Sequence, residues 1–444
     1  MRKPSAGRVA RLAASVTAAG LVTVGMAAGP AAAASDQLWI VSPWELALPK
    51  AVDGQQARET TVALGLYHDN ANYRVTDGKL TVDVSGLAGV ADVTWPENCA
   101  PTGPTAVCSF PEVPLTGEAP VEVKVRAAAG AEGGATGQIT YEATATTSYG
   151  TMVAPGSTTT IRVASGPDLV LNQSAPVTGV APGSTVPVPF SVVNNGNEPA
   201  NGVDVSFYVT RGLELGAVAP QCTSTPLGEG AIKALTKVDC AFDEVVEPGG
   251  SFTMPSALQA TVAPYALSER IDIGVNARGG VEDLAPENNG WVAQITATNT
   301  ADFAVRGGRY TAAAGETVRA DVTFRNRGPA WVANLGSGDP VGSVEVTIPQ
   351  GATATTVPDA CEPRTADGGW WESEVRTGAP RYVCQLPIWV AEKQTVTFGF
   401  DLRVDTVVTG AKGAITLKPP YGTSFPFDPN AANHQAKLVL NPAV

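Results

Sequence analysis

Apolar residues recur at every second position in short runs along most of the chain. The clearest runs are Val62, Leu64, Leu66; Leu80, Val82, Val84; Val121, Val123, Val125; Val203, Val205, Phe207, Val209; and Val396, Phe398, Phe400, Leu402, Val404. Alternation of this kind buries one face of a strand and wets the other. Pro182-Gly183 and Pro248-Gly249 punctuate the runs, as do Asn194-Asn195-Gly196 and Asn326-Arg327-Gly328. Such pairs supply the fixed and the positive φ that tight turns require. Helical periodicity is essentially absent beyond the first residues, and glycines interrupt the Ala-rich stretch from Ala127 to Ala135, which reads as a loop. The pattern predicts an all-β chain.

The runs repeat as a set. In the middle third the order is Asp168-Leu169, Pro182-Gly183, an alternating run Val186, Val188, Phe190, Val192, the Asn-Asn-Gly turn, a run at Val203 to Val209, two cysteines, Pro248-Gly249, and a run at Ile271, Ile273, Val275. The last third repeats it with Asp302-Phe303, Gly315-Glu316-Thr317, Val318, Ala320, Val322, Phe324, the Asn-Arg-Gly turn, and Val344, Val346, Ile348. The first third is more diverged. Three units follow, over 35–165, 166–299 and 300–444, each with enough strands to close a two-sheet sandwich. The linkers near Ser165-Gly166 and Asn299-Thr300 are only a few residues long, so an extended rod with limited bending is expected.

Six cysteines fall into three close pairs, one per unit: Cys99 with Cys108, Cys222 with Cys240, and Cys361 with Cys384. Their placement favours these local pairings in an oxidising compartment. Loops of this size are expected to stabilise each unit by roughly 3 kcal/mol. The compartment agrees with the start of the chain. Arg2, Lys3, Arg8 and Arg11 precede an apolar run from Leu12 to about Ala28 that ends in Ala32-Ala33-Ala34, the layout of a cleaved signal peptide over 1–34. The mature form carries no other run long enough to span a membrane. Removing the signal takes away four Lys/Arg and leaves a formal charge of −17, which opposes binding to nucleic acid or anionic lipid.

The string from Asp168 through Pro182-Gly183, Asn194-Asn195-Gly196, Cys222, Cys240, Pro248-Gly249 and Asp283-x-x-Pro286-x-Asn288-Asn289 resembles the bacterial extracellular repeat called domain of unknown function eleven. It is also similar to the bacterial cell-adhesion-related repeat. The match is good for the second unit, fair for the third and weak for the first. The resemblance implies three tandem immunoglobulin-like β-sandwiches in a secreted or loosely wall-associated setting, and it brings no catalytic residues.

Candidate chemistry is sparse. A serine triad would have to recruit His68 or His434, and neither Gly-x-Ser-x-Gly nor His-Glu-x-x-His occurs. A lone histidine at a strand end or turn is expected to be solvated. The lone Gly78-Lys79 has Tyr73 and Leu80 where a phosphate loop needs Gly and Ser or Thr. Asp283 and Glu287, with Asn288 and Asn289, and their counterparts Asp428, Asn430 and Asn433, offer oxygens of the kind calcium takes, although an Asx-rich turn bonding its own backbone is the preferred reading. Trp370-Trp371, between Gly368-Gly369 and Glu372 on the third cysteine-bounded loop, are candidate ligand-binding residues. No cofactor is implied. The expectation is a non-enzymatic structural or adhesive protein whose partner is a protein or cell-wall glycan, with a carbohydrate-binding module as the alternative.

Overall fold

The computed structural model describes residues 36–52, 55–69, 73–118, 120–188 and 190–443. The signal peptide expected over 1–34 lies outside the described residues. Within them every regular element is a strand or a three-residue 3-10 turn, and no helix is long and apolar enough to cross a membrane.

Each alternating run becomes a strand with one buried face, and the strands close into three immunoglobulin-like sandwiches with three separate cores. In the first, a sheet ordered Leu38–Val41, Thr60–His68, Val121–Ala127, Ala91–Thr94 faces a larger one. That larger sheet runs Glu45–Pro49, Ser157–Ala164, Thr136–Thr147, Thr76–Asp83, Thr105–Glu112, Cys99–Thr102. In the third, Phe303–Arg306, Thr317–Asn326, Thr395–Val404, Ala352–Thr356 face Arg309–Tyr310, Gln435–Leu440, Ala411–Lys418, Ser343–Thr347, Arg381–Gln385, Cys361–Arg364. Each sandwich begins with a strand in the smaller sheet and then crosses to pair in parallel with its own last strand. These parallel pairs are Glu45–Pro49 on Ser157–Ala164, Val177–Val180 on Gly290–Ala297, and Arg309–Tyr310 on Gln435–Leu440.

The second sandwich departs from the expected pattern. The run Val186 to Val192 is not one strand: Thr185–Pro187 pairs with Gln259–Val262, while Ser191–Asn194 pairs with Leu169–Leu171 and Ser251–Thr253. Pro187 still stands opposite Gln259 and Val188 N–H still reaches the Leu258 carbonyl, so the chain changes partners between Val188 and Ser191 and the smaller sheet divides in two. The third sandwich has no proline in the equivalent run, and Thr317–Asn326 stays whole. The Pro-Gly pairs behave as expected: Gly183 and Gly249 take φ of 86° and 75°, and the amides after them bond back to Ala181 and Glu247.

The register places every strand end. Asn194 and Asn326 stand opposite Leu169 and Phe303 at the end of their sandwich that meets the preceding unit, and His68 stands opposite Leu38 at the same place in the first. The opposite ends, at Lys50, Thr298 and Asn441, meet the next unit or finish the chain. The three sandwiches are therefore joined end to end.

Candidate functional site

The three disulfides form as the spacing suggests, and each joins residues directly opposite on neighbouring antiparallel strands, with Cα atoms 3.9, 4.0 and 3.8 Å apart. They do not bridge the two sheets. Each staples the outermost strand of the larger sheet to its neighbour and holds the base of a hairpin whose tip points to the downstream end of its sandwich. The hairpins lengthen along the chain. The first turns tightly at Gly103, the second has its tip at residues 228–234, and the third extends over 365–380.

Trp370 and Trp371 sit on this third hairpin, and the structure separates them. Trp371 is half-buried, packs on the third core and donates its Nε1–H to the Val375 carbonyl at 2.9 Å. Trp370 is 78 % exposed. One face of its ring lies 4.5 Å from the Arg364 guanidinium, which Glu362 holds at 2.7 Å. The indole is thus positioned on one side and open on the other.

The candidate metal residues serve the backbone. Asp283 accepts Leu169 N–H at 2.8 Å and Ala285 N–H at 2.9 Å, one on each oxygen. Asp428 does the same for Phe303 N–H at 2.6 Å and Asn430 N–H at 2.8 Å. Asn288 and Asn433 donate to Asp168 and Asp302, and Glu287 is exposed. The acidic turn is a latch that ties the entry strand of a sandwich to the turn before its last strand. Among the described residues no three His, Cys, Asp or Glu side chains converge as a metal site. Burial pushes the Asp168 carboxyl up, against the Asn288 hydrogen bond, and the nearby Asp283 adds to the rise.

The histidines correct the expectation of solvated side chains. His68 is buried with its Nδ1 2.7 Å from Asp36, and His434 bonds Asp428 at 2.9 Å and meets Phe425 edge-on. A strand-end imidazole with a carboxylate neighbour is drawn inward as a pair, because each group satisfies the other's buried polar atoms. Their recorded partners are carboxylates, not serine hydroxyls.

The most organised polar cluster of the molecule was not anticipated from the sequence. It lies where the second sandwich meets the third. Glu269 is 2 % exposed and its carboxylate receives four hydrogen bonds. Leu267 N–H (3.0 Å) and Trp331 Nε1–H (2.7 Å) reach one oxygen; the Thr210 hydroxyl (2.6 Å) and Gly212 N–H (3.0 Å) reach the other. A side chain at position 212 would put its Cβ 2.2 Å from the carboxyl carbon, so only glycine admits the group. Trp331 belongs to the third sandwich and also donates its backbone N–H to Tyr265 of the second at 2.9 Å. Beside it Arg211 grips Glu392 with two bonds of 2.6 and 2.7 Å and stacks 3.9 Å from the Tyr265 ring centre. The hydrogen bonds that it donates to Glu392 hold Arg211 above its ordinary range. Burial pushes Glu392 up, but the bonds from Arg211 outweigh this and hold its carboxyl below the usual value. Leu267 of the second sandwich is itself part of the third core.

No known protein family matches the chain, and no curated protein does. Among solved structures it is similar, at 9 % identity in each case, to three multi-domain proteins. Immunoglobulin domains of Dpr2 in complex with those of DIP-Theta match with 91 % of this chain and 100 % of that one covered and a TM-score of 0.23. A membrane-anchored protein of Corynebacterium diphtheriae matches over 91 % and 95 %, with a TM-score of 0.17. An I-band fragment of titin matches over 93 % and 100 %, with a TM-score of 0.18. Likeness at this level carries no argument about function, and the fold rests on the sheets themselves.

Proposed function

We propose that the chain is an exported, non-catalytic structural or adhesive protein of the bacterial exterior, in which tandem sandwiches act as a stiff spacer and present their terminal loops to a partner. The observation that carries this reading is the joint between the second and third sandwiches. A carboxylate is desolvated there only because four donors from both units converge on it, and a charged hydrogen bond of this kind contributes about 1.5–3 kcal/mol. Such an arrangement fixes the angle between neighbours, which a spacer needs. The disulfides and the signal-like first residues support export, and the resemblance of the second unit to bacterial extracellular repeats supports the setting. Small-angle scattering of the mature chain tests the spacer: an elongated profile that loosens in Glu269→Ala is expected, and a compact particle overturns the reading. Cell fractionation tests export, which fails if the chain stays in the cytoplasm.

A second reading, a carbohydrate-binding module, is favoured by the open face of Trp370. A glycan array tests it, with selective binding lost in Trp370→Ala as the supporting result.

A further inference from the structure

The outermost strand of each larger sheet runs along an edge, where a backbone ordinarily offers unpaired amides to any other strand. These strands are Cys99–Thr102, Cys222–Leu227 and Cys361–Arg364. Which of their amides face outward follows from the register. Ser109 N–H reaches the Asn98 carbonyl, Ala241 N–H reaches Gln221 and Gln385 N–H reaches Ala360, so the residue before each cysteine faces the neighbouring strand. Bonding alternates along an antiparallel pair, so each cysteine faces away from that neighbour, as does every second residue after it. The Cα separations across the disulfides, between 3.8 and 4.0 Å, agree, because the closer approach belongs to pairs that exchange no hydrogen bonds.

The outward amides are nearly all spent or missing. That of the cysteine turns back, in every sandwich, to the carbonyl three residues earlier: Cys99 to Pro96 at 3.0 Å, Cys222 to Ala219 at 2.8 Å, Cys361 to Pro358 at 3.0 Å. The next outward position is a proline in the first and third sandwiches, Pro101 opposite Ala106 and Pro363 opposite Tyr382. In the second the proline comes one outward position later, at Pro226 opposite Thr236. All three thus stand an even number of residues after their cysteine, where the missing hydrogen is the one that would point off the sheet. At an odd distance each would instead remove a bond from its own hairpin. Beyond Pro363, Thr365 N–H is taken by the Gly369 carbonyl at 3.1 Å. Among the described residues of the three strands, Ser224 N–H is the single outward donor left.

We propose that the stapled edge is built to refuse strand addition, whether by a second copy of this chain or by an extended peptide. An arriving strand finds carbonyls but almost no donors, and it meets a pyrrolidine ring where its own carbonyl should approach. The disulfide completes the device. A slip of one residue would turn the prolines inward and free amides outward, and a bond between opposed cysteines forbids that slip. The inference goes beyond the spacer reading and stands without it. It names the kind of contact that these sandwiches exclude, so that copies can crowd side by side without their sheets fusing, and it leaves recognition at this edge to side chains and loops.

Sedimentation velocity and amide hydrogen exchange on the mature chain, from micromolar to near-millimolar concentration, test this. In the parent the Ser224 amide should exchange at one rate throughout. Pro101→Val, Pro226→Val and Pro363→Val together restore an outward amide to each edge. This variant should self-associate at a concentration about tenfold or more below any at which the parent does, since two strands pairing edge to edge regain net bonds of that combined worth. Its new valine amides should gain protection as concentration rises. Thr225→Val places the same side chain on the same exposed strand at a residue whose amide already faces inward, and should behave as the parent. Pro226→Val alone, at an exposed site beside Ser224, should shift association in the same direction, and it decides the matter if the triple variant melts early. Proline variants as monomeric as the parent, a Thr225→Val chain that associates equally, or a parent whose Ser224 amide gains protection with concentration overturns the proposal. An elongated profile would leave the spacer reading standing in each case.

Discussion

The two joints of the molecule are built from the same turn and differ in what that turn carries. At the first, Asn197 follows the Asn-Asn-Gly turn, accepts Gly166 N–H at 2.9 Å and donates to the Lys50 carbonyl at 2.9 Å, while Leu284 packs on Ala47 and Ala164. At the second, the Asn-Arg-Gly turn leads to Trp331, which inserts its indole into the polar pocket around Glu269, with Arg211–Glu392 beside it. In both units the turn asparagine is buried and donates twice to backbone carbonyls, so the scaffold is equal. The difference teaches that what separates the two joints is a few side chains grafted on a common turn, not the sandwich that carries them. This contrast predicts that the second and third units move as one body and that the first pivots more freely against them.

Substitutions can break this contrast. Trp331→Ala removes both the indole and a donor to a buried carboxylate, and is expected to destabilise the second-to-third unit by about 3–5 kcal/mol. Calorimetry should then resolve two transitions from a formerly single one; an unchanged single transition would mean the joint is not a cooperative element. Arg211→Ala should cost about 1–3 kcal/mol, less than the full penalty of a buried pair because Glu392 keeps a path to water. Denaturant unfolding checks this, and a loss equal to that of Trp331→Ala would place the main restraint on the ion pair instead. Asn197→Ala at the first joint should cost only about 0.5–1.5 kcal/mol and leave the unfolding of the other two units untouched.

The smallest effect is a pH dependence of opposite sign at the two joints. Asp168 has a raised folded value, so its contribution is fully present below the ordinary 3.8 and is lost as pH rises through the folded value. Asp168→Asn, which keeps an acceptor for Asn288, should slightly raise the melting temperature at neutral pH and show no gain near pH 3.8. Glu392 has a lowered value, so its contribution is present above the ordinary 4.5 and is lost as pH falls through the folded value. Falling pH should therefore relieve the first joint, and acid below the ordinary glutamate value of 4.5 should loosen the second. A melting profile in which both respond alike would remove the electrostatic part of the comparison.

Most of the fold was legible because period-two burial dominates strands such as Thr395–Val404, and because the cysteine pairs mark the same edge hairpin three times. The split after Val188 was legible in principle, since Pro187 and Pro189 deny this alternating run two amide donors. The joint left one signal in the sequence. Glu269 falls in the same register as Ile271, Ile273 and Val275, a charge on the inward face of a strand, which requires buried partners. Which partners these are depends on contacts more than fifty residues away in the chain, at Thr210 and Trp331, and no local pattern encodes that. The division of labour between Trp370 and Trp371 depends likewise on where Arg364 and Val375 fall across the hairpin.

The edge staples also govern how the chain answers a pulling force. A strand fastened to its neighbour cannot peel away, and the backbone between the two sulfurs is withheld from extension when a sandwich is stretched open. The cysteines are 9, 18 and 23 residues apart, and a fully drawn residue spans about 3.4 Å. Oxidised, the third sandwich gives up roughly 80 Å less slack than its reduced form. A tether of these units would thus keep a shorter reach outside the cell than in a reducing medium, with the hidden length concentrated at its downstream end.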